Sequence, residues 1–135
     1  MEKEIKTEKY IEAVGRRKTS VARVRLTPAA KNSITVNEKE LHQYFPVEEM
    51  QIISRQPFLE NISEKFAVTA KLNGGGIHSQ SEALRHGIAR ALVKSNEQLR
   101  KPLKKEGMLK RDPRAKERRK FGLKKARKAP KWSKR

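Results

Sequence analysis

The amino-acid sequence predicts an α+β two-layer sandwich: a small four-stranded sheet covered on one face by helices, followed by an extended basic tail. Three observations carry this expectation. Apolar residues alternate with period 2 in short stretches, apolar stripes of helical period fall between and after them, and both patterns give way to cations near residue 107. Residues 1–9, opening on the charged Met1-Glu2-Lys3-Glu4, read as a flexible N-terminus, 10–106 as a globular domain and 107–135 as the tail.

From Thr19 to Thr27, Ala22, Val24 and Leu26 alternate with Arg23 and Arg25, the pattern of a half-buried strand. Thr27-Pro28 ends it, and Ile34-Thr35-Val36 gives a short further strand. Asn37 and Glu40 then read as a cap-like pair opening a helical turn with Leu41, Tyr44 and Phe45. Pro46 starts another helix with Val47, Met50 and Ile53 on its apolar side, and Pro57 stops it by disfavouring helical geometry at Gln56. In the clearest strand, Phe66, Val68, Ala70 and Leu72 alternate with Ala67, Thr69 and Lys71 and lead into Gly74-Gly75-Gly76. Ser79 and Glu82 read as a capping box for the next helix, whose stripe is Leu84, Ile88, Ala91 and Leu92. Helical propensity returns around Glu97–Lys105, broken by Pro102 and stopped near Gly107. The element order is three strands, helices, a strand and a helix.

Charge says what such a domain meets. The 135 residues hold 34 Lys and Arg against 15 Asp and Glu, a net charge of +19. Residues 1–100 carry 17 basic and 12 acidic side chains, net +5, whereas 101–135 carry 17 basic and three acidic, net +14. Such density self-repels and calls for a polyanion, because each phosphate neutralised releases a condensed counterion. Nucleic acid is the first candidate and an anionic membrane surface the second. The chain has no cysteine, which excludes disulfides and cysteine-ligated zinc. No apolar run exceeds three residues, so neither a membrane span nor a signal-peptide core is expected, and the reading is intracellular.

Three segments concentrate the candidate binding residues. Gly15-Arg16-Arg17-Lys18-Thr19-Ser20 flows into the strand bearing Arg23 and Arg25, whose side chains project on one side about 6.6 Å apart. No acid stands between Ala13 and Glu38, so phosphate binding is favoured over a merely solvated edge. Gly74-Gly75-Gly76 misses both the dinucleotide fingerprint and the P-loop, and reads as a tight turn whose backbone passes close to something, an RNA backbone in its functional form. In the helix that follows, Arg85 and Arg90 lie off the apolar stripe. The tail adds Arg111, Arg114, Arg118, Arg119, Lys120, Lys124, Lys125, Arg127 and Lys128, with Phe121 and Trp132 as spaced aromatics able to stack on bases or anchor in a groove. Catalysis has no comparable support. His42, His78 and His86 are isolated, Glu48 and Glu49 point in different directions on a helix, and no nucleophile has an activating partner. His86, beside the stripe, reads as packed or RNA-facing.

Seven blocks occur together in one order: Gly15-Arg16-Arg17-Lys18-Thr19-Ser20-Val21-Ala22-Arg23-Val24, Tyr44-Phe45-Pro46, Arg55-Gln56-Pro57, Gly74-Gly75-Gly76, Arg85-His86-Gly87-Ile88-Ala89-Arg90-Ala91-Leu92, Arg111-Asp112-Pro113-Arg114 and Ser133-Lys134-Arg135. In these the chain resembles the family of the ninth protein of the small ribosomal subunit, in its bacterial form, over roughly residues 10–135. It departs at Ala13-Val14, at Ser79 and Glu82, and at Lys131-Trp132. The resemblance implies a mostly antiparallel sheet with helices on one side, the fold of the second domain of small-subunit protein five. It implies 16S-type rRNA in the subunit head as partner, with neighbouring head proteins, and a tail reaching the anticodon stem-loop of the P-site tRNA. Carried over by position, Ser133, Lys134 and Arg135 contact that tRNA. No enzyme activity, cofactor, metal, membrane or small-molecule substrate is expected. The rival expectations are a nucleoid-type DNA-compacting protein and a small RNA-processing enzyme with a carboxylate metal site.

Overall fold

The computed structural model describes residues 10–58, 64–115, 118, 120–122 and 124–128. Its strands are β1 (Ile11–Arg17), β2 (Ser20–Pro28), β3 (Ser33–Val36), β4 (Lys39–Glu40) and β5 (Phe66–Asn73). Its helices are α1 (Leu41–Tyr44), α2 (Glu48–Arg55), α3 (Ile77–Ser95) and α4 (Arg100–Lys105), with a 3-10 turn at Glu97–Leu99. The sheet order is β1-β2-β5-β3-β4, and every pairing is antiparallel except β3 with β5. That parallel pair needs a crossover, supplied by the chain through β4, α1 and α2. The expected α+β architecture is therefore present, with five strands among the described residues instead of four. The sequence placed β2, β3 and β5; it counted one more strand without locating β1, and β4, two charged residues, is too short to show any alternation.

Alternation decides which side chains face α3. In β2 and β5 the residues Ala22, Val24, Leu26, Phe66, Val68, Ala70 and Leu72 are buried, while Arg23, Arg25, Thr69 and Lys71 are exposed. The helix supplies Leu84, Ile88, Ala91 and Leu92, all fully buried as the stripe predicted. Each of the larger side chains, Leu84, Ile88 and Leu92, contributes about 1.5–3 kcal/mol on leaving water. The approach is closest where two glycines meet: a Cβ on Gly15 would fall 2.0 Å from the Ala83 carbonyl oxygen and 2.2 Å from the Gly87 nitrogen. Gly15 therefore belongs to the packing of α3 on β1.

Four local expectations are corrected. The helix starts two residues earlier than Ser79, which sits in its first turn and accepts a hydrogen bond from the backbone N–H of Gly76, the N-cap, at 3.2 Å. Glu82 points instead to Arg17 and His78. Asn37 caps no helix: its backbone is left-handed (φ 47°) and its side chain pins Leu72, with Oδ1 accepting from the backbone N–H at 2.9 Å and Nδ2 donating to the carbonyl at 3.1 Å. In α2, Val47 is exposed and the fully buried residue is Ser54, whose hydroxyl donates to the Met50 carbonyl at 2.9 Å. Gln56 keeps right-handed helical geometry although Pro57 follows it, and the helix still ends at Arg55.

Candidate nucleic-acid interface

The cationic face is a product of strand register. Arg23 of β2 stands beside Lys71 of β5 and Val14 of β1, and the next row on the same face holds Glu12, Arg25 and Thr69. Neighbouring strands lie about 4.8 Å apart, so Arg23, Arg25 and Lys71 form a two-dimensional patch. A shallow hollow of about 70 Å³ is lined by these three, Glu12 and Thr69. Arg25 also lies over the Tyr10 ring, 4.6 Å from its centroid, which places a half-exposed aromatic at the patch margin. Arg16 follows on the same face one row on. Among the described residues no carboxylate comes within ion-pair distance of Arg16, Arg23, Arg25 or Lys71.

Other cations named from the sequence are differently placed. Strand alternation turns Arg17 to the helix side, where its side chain is only 13% exposed and its guanidinium pairs with Glu82 at 2.6 Å and Asp112 at 3.6 Å. Arg85 donates to the Gln56 side chain at 2.9 Å. Arg90 serves the edge of the sheet. β1 is an outer strand whose outward backbone groups need partners, and three α3 residues spaced four apart supply them. Lys94 donates to the Glu12 carbonyl at 2.8 Å and Arg90 to the Val14 carbonyl at 2.6 Å, while His86 Nδ1 accepts from the Arg16 N–H at 3.3 Å. With Nδ1 accepting, the proton of the neutral ring sits on Nε2 and points to the Leu109 carbonyl at 3.3 Å. Burial pushes His86 below the ordinary histidine value, opposed by the bond to Leu109 and reinforced by Arg90, Arg111 and Arg85.

The glycine loop approaches its own chain. Gly74 and Gly75 have φ of +75° and +63°, and a Cβ on them would meet the Thr19 carbonyl oxygen at 2.6 Å and the Ser20 hydroxyl at 2.1 Å. Ser20 is fully buried, donates to the Gly74 carbonyl at 3.0 Å and lies 2.8 Å from the Ser79 hydroxyl. These contacts draw the turn at Lys18-Thr19 and the glycine loop to one end of the sheet, with Lys18 exposed in left-handed geometry at φ 53°. Gly76 has nothing within 4 Å of its Cβ position.

Beyond α4 the described residues contain no helix or strand. Arg111, Arg114, Arg118, Lys120, Lys124, Lys125, Arg127 and Lys128 are exposed there, and Arg119, Ser133, Lys134, Arg135 and Trp132 lie outside the described residues. The expectations from sequence missed Lys71 as a member of the patch. Its signal was the alternation of Thr69 and Lys71 with buried neighbours, but only the β2–β5 register sets it beside Arg23.

Among the described residues no group of three His, Asp or Glu is placed to hold a metal ion, and no helix is long and apolar enough to cross a membrane. The features the fold assembles are an unpaired cationic sheet face and an exposed basic segment after α4, both suited to a phosphate backbone. Residues 15–135 match the family described as Ribosomal protein S9/S16, a span that begins at the glycine packed against α3 and takes in every cation of the patch. The chain belongs to this family of RNA-binding proteins of the small ribosomal subunit, structural components of the cytoplasmic translation machinery.

Proposed function

We propose that the chain binds 16S-type rRNA in the head of the small subunit through its open sheet face, and that its basic C-terminal segment continues to the anticodon stem-loop of the P-site tRNA. The observation that carries the reading is the patch of Arg16, Arg23, Arg25 and Lys71, exposed and free of carboxylate partners among the described residues. Lys18 and the exposed loop at Gly76 extend it at one end of the sheet, and Arg111 to Lys128 extend it along the C-terminal segment. Arg85 and Arg90, already bonded within the domain, keep spare donors for phosphate. The sandwich is that of the second domain of small-subunit protein five, residues 10–106 form the docking domain, and 107–135 form the basic C-terminal tail. Most contacts go to phosphate, sugar and shape, since A-form RNA offers side chains little base edge. Ser133, Lys134 and Arg135 meet the tRNA, and the role is structural.

The test is equilibrium binding of the full chain to a head-domain 16S-type rRNA fragment across a salt series. Arg23→Ala with Lys71→Ala is expected to weaken binding about tenfold or more and to lower the log–log salt slope by about 1.4–1.8, for two phosphates each releasing about 0.7–0.9 counterions. An unchanged slope in a variant with wild-type circular dichroism would overturn the reading, as would tighter binding to duplex DNA than to the rRNA fragment.

A further inference from the structure

Arg17 stands in the middle of the most basic cluster of the domain, yet its surroundings differ from those of a phosphate ligand. Its three polar side-chain contacts among the described residues are internal, and they join parts of the chain that lie far apart in sequence. Its Nε meets Glu82 Oε2 of α3 at 2.6 Å, its Nη2 lies 3.6 Å from Asp112 Oδ2, and its Nη1 donates to the Arg114 carbonyl. A planar fork suits such a three-way junction, because separate N–H groups are aimed at separate acceptors.

The segment it holds is itself locally organised. Asp112 Oδ1 accepts from the Arg114 N–H at 2.9 Å, and its carboxylate takes the Arg114 guanidinium at 2.7 Å and 3.0 Å. The bonds from Arg114, with Arg17 nearby, hold the Asp112 carboxyl well below the usual carboxylate range, so the clamp stays charged at any ordinary pH. Upstream, the Met108 N–H donates to the Leu103 carbonyl at 3.1 Å, Met108 and Leu109 pack against the core, and His86 holds the Leu109 carbonyl. Residues 108–114 are thus fastened at three places to elements of the domain. Beyond them, in 115–128, Lys124 and Lys125 both donate from the backbone to the Lys128 carbonyl.

We propose that Arg17 is a positioning residue: together with Glu82 and Asp112 it docks the first residues of the C-terminal segment on the globular domain, setting where and in which direction the basic chain leaves it. The proposal rests on the reading that this basic chain binds RNA. Its physical consequence is a gain in effective concentration, because a tail launched along one heading samples far fewer misdirected conformations than one hinged at α4. Arg17 then raises RNA affinity without neutralising a phosphate.

Two measurements on the free and RNA-bound full chain test this. In the free protein, backbone heteronuclear NOE values for residues 108–115 are expected to match those of the domain. They fall to the values of residues 124–128 in Arg17→Ala and also in Asp112→Asn, which opens the junction from the tail side and leaves the sheet untouched. Unchanged NOE values in both variants would overturn the docking. In binding to the head-domain rRNA fragment, Arg17→Ala is expected to lose several-fold in affinity at an unchanged salt slope, and Arg17→Lys to behave like Arg17→Ala because one ammonium cannot span three acceptors. A slope lowered by about 0.7–0.9 with full rescue by Arg17→Lys would make Arg17 a phosphate ligand and refute the proposal. Failure of the wild-type chain to bind the fragment at all would refute the RNA reading, while the NOE measurement still decides the docking.

Discussion

Replacing Gly15 by alanine tests whether the first glycine of the basic cluster serves RNA or packing. The added Cβ would sit 2.0 Å from the Ala83 carbonyl oxygen, 2.2 Å from the Gly87 nitrogen and 2.7 Å from the Gly87 Cα, all backbone atoms of α3. Ordinary contact begins near 3.4 Å, so the helix must retreat by about 1.4 Å along that line. Retreat would also stretch the edge bonds of Arg90 to Val14, Lys94 to Glu12 and Arg16 to His86, now 2.6, 2.8 and 3.3 Å, towards or past hydrogen-bonding range. Overpacking of 1–3 kcal/mol plus partial loss of charge-assisted bonds gives a destabilisation on the order of 3–5 kcal/mol. That is a large share of the roughly 5–15 kcal/mol typical of a domain. The assay is urea unfolding of the full chain followed by far-ultraviolet circular dichroism at fixed salt, with Gly76→Ala as the control, since Gly76 has open space around its Cβ position and is expected to change stability by no more than about 1 kcal/mol. Gly87→Ala should fall between the two, because its nearest atom is a Val24 methyl at 2.7 Å and alanine gains about 1 kcal/mol of helix propensity. A Gly15→Ala midpoint equal to wild type would refute the packing argument.

Two further outcomes are expected. His86 is held below its unfolded value of about 6.5, so the unfolded chain binds more protons than the folded one as pH falls; stability present above pH 6.5 is lost as pH drops through the lowered folded value. Urea midpoints between pH 8 and 5 should show this fall in the wild type and a flatter profile in His86→Gln, and equal slopes in the two would discard the neutral-histidine assignment. Removing residues 133–135 should leave incorporation into the small subunit largely intact while weakening tRNA binding at the peptidyl site. Lys134→Ala or Arg135→Ala should flatten the salt slope of that binding by roughly one unit or less, and unchanged tRNA affinity after truncation counts against the tail assignment.

Local pattern made most of the fold legible. Period 2 exposed β2 and β5, and the stripe of Leu84, Ile88, Ala91 and Leu92 exposed α3, because one-sided burial writes itself into sequence at the period of each element. The candidate site was legible as composition, with the arginines of β2 named and set on one face. Its geometry was not. Lys71 joins Arg23 through a pairing 48 residues apart in sequence, and the seam of His86, Arg90 and Lys94 along β1 links residues separated by 70, 76 and 82 positions. No local rule encodes such separations. Ser79 misled for a related reason: serine near a helix start reads as an N-cap, yet its hydroxyl lies against the buried Ser20 and within the first turn, and the N-cap is Gly76.

The cluster Gly15 to Ser20 shows how far charge counting can carry a functional argument. Six consecutive residues read as one basic motif, but strand alternation and one tight turn divide them. Gly15 faces α3 at a distance no side chain fits, and Arg16 faces open solvent beside the cationic sheet. Arg17 faces inward and ties α3 to the C-terminal segment. Lys18 takes the left-handed turn position, Thr19 carries the carbonyl beneath Gly74, and Ser20 is buried under the glycine loop. Of the three cations, two remain exposed, and the third is engaged by carboxylates of α3 and the C-terminal segment. The block therefore combines packing, turn geometry and charge at one corner of the domain, where the open sheet face, the glycine loop and the start of the basic segment converge. A polyanion bound there meets surfaces whose relative placement is set by contacts within the protein, which lowers the ordering cost of engaging them together.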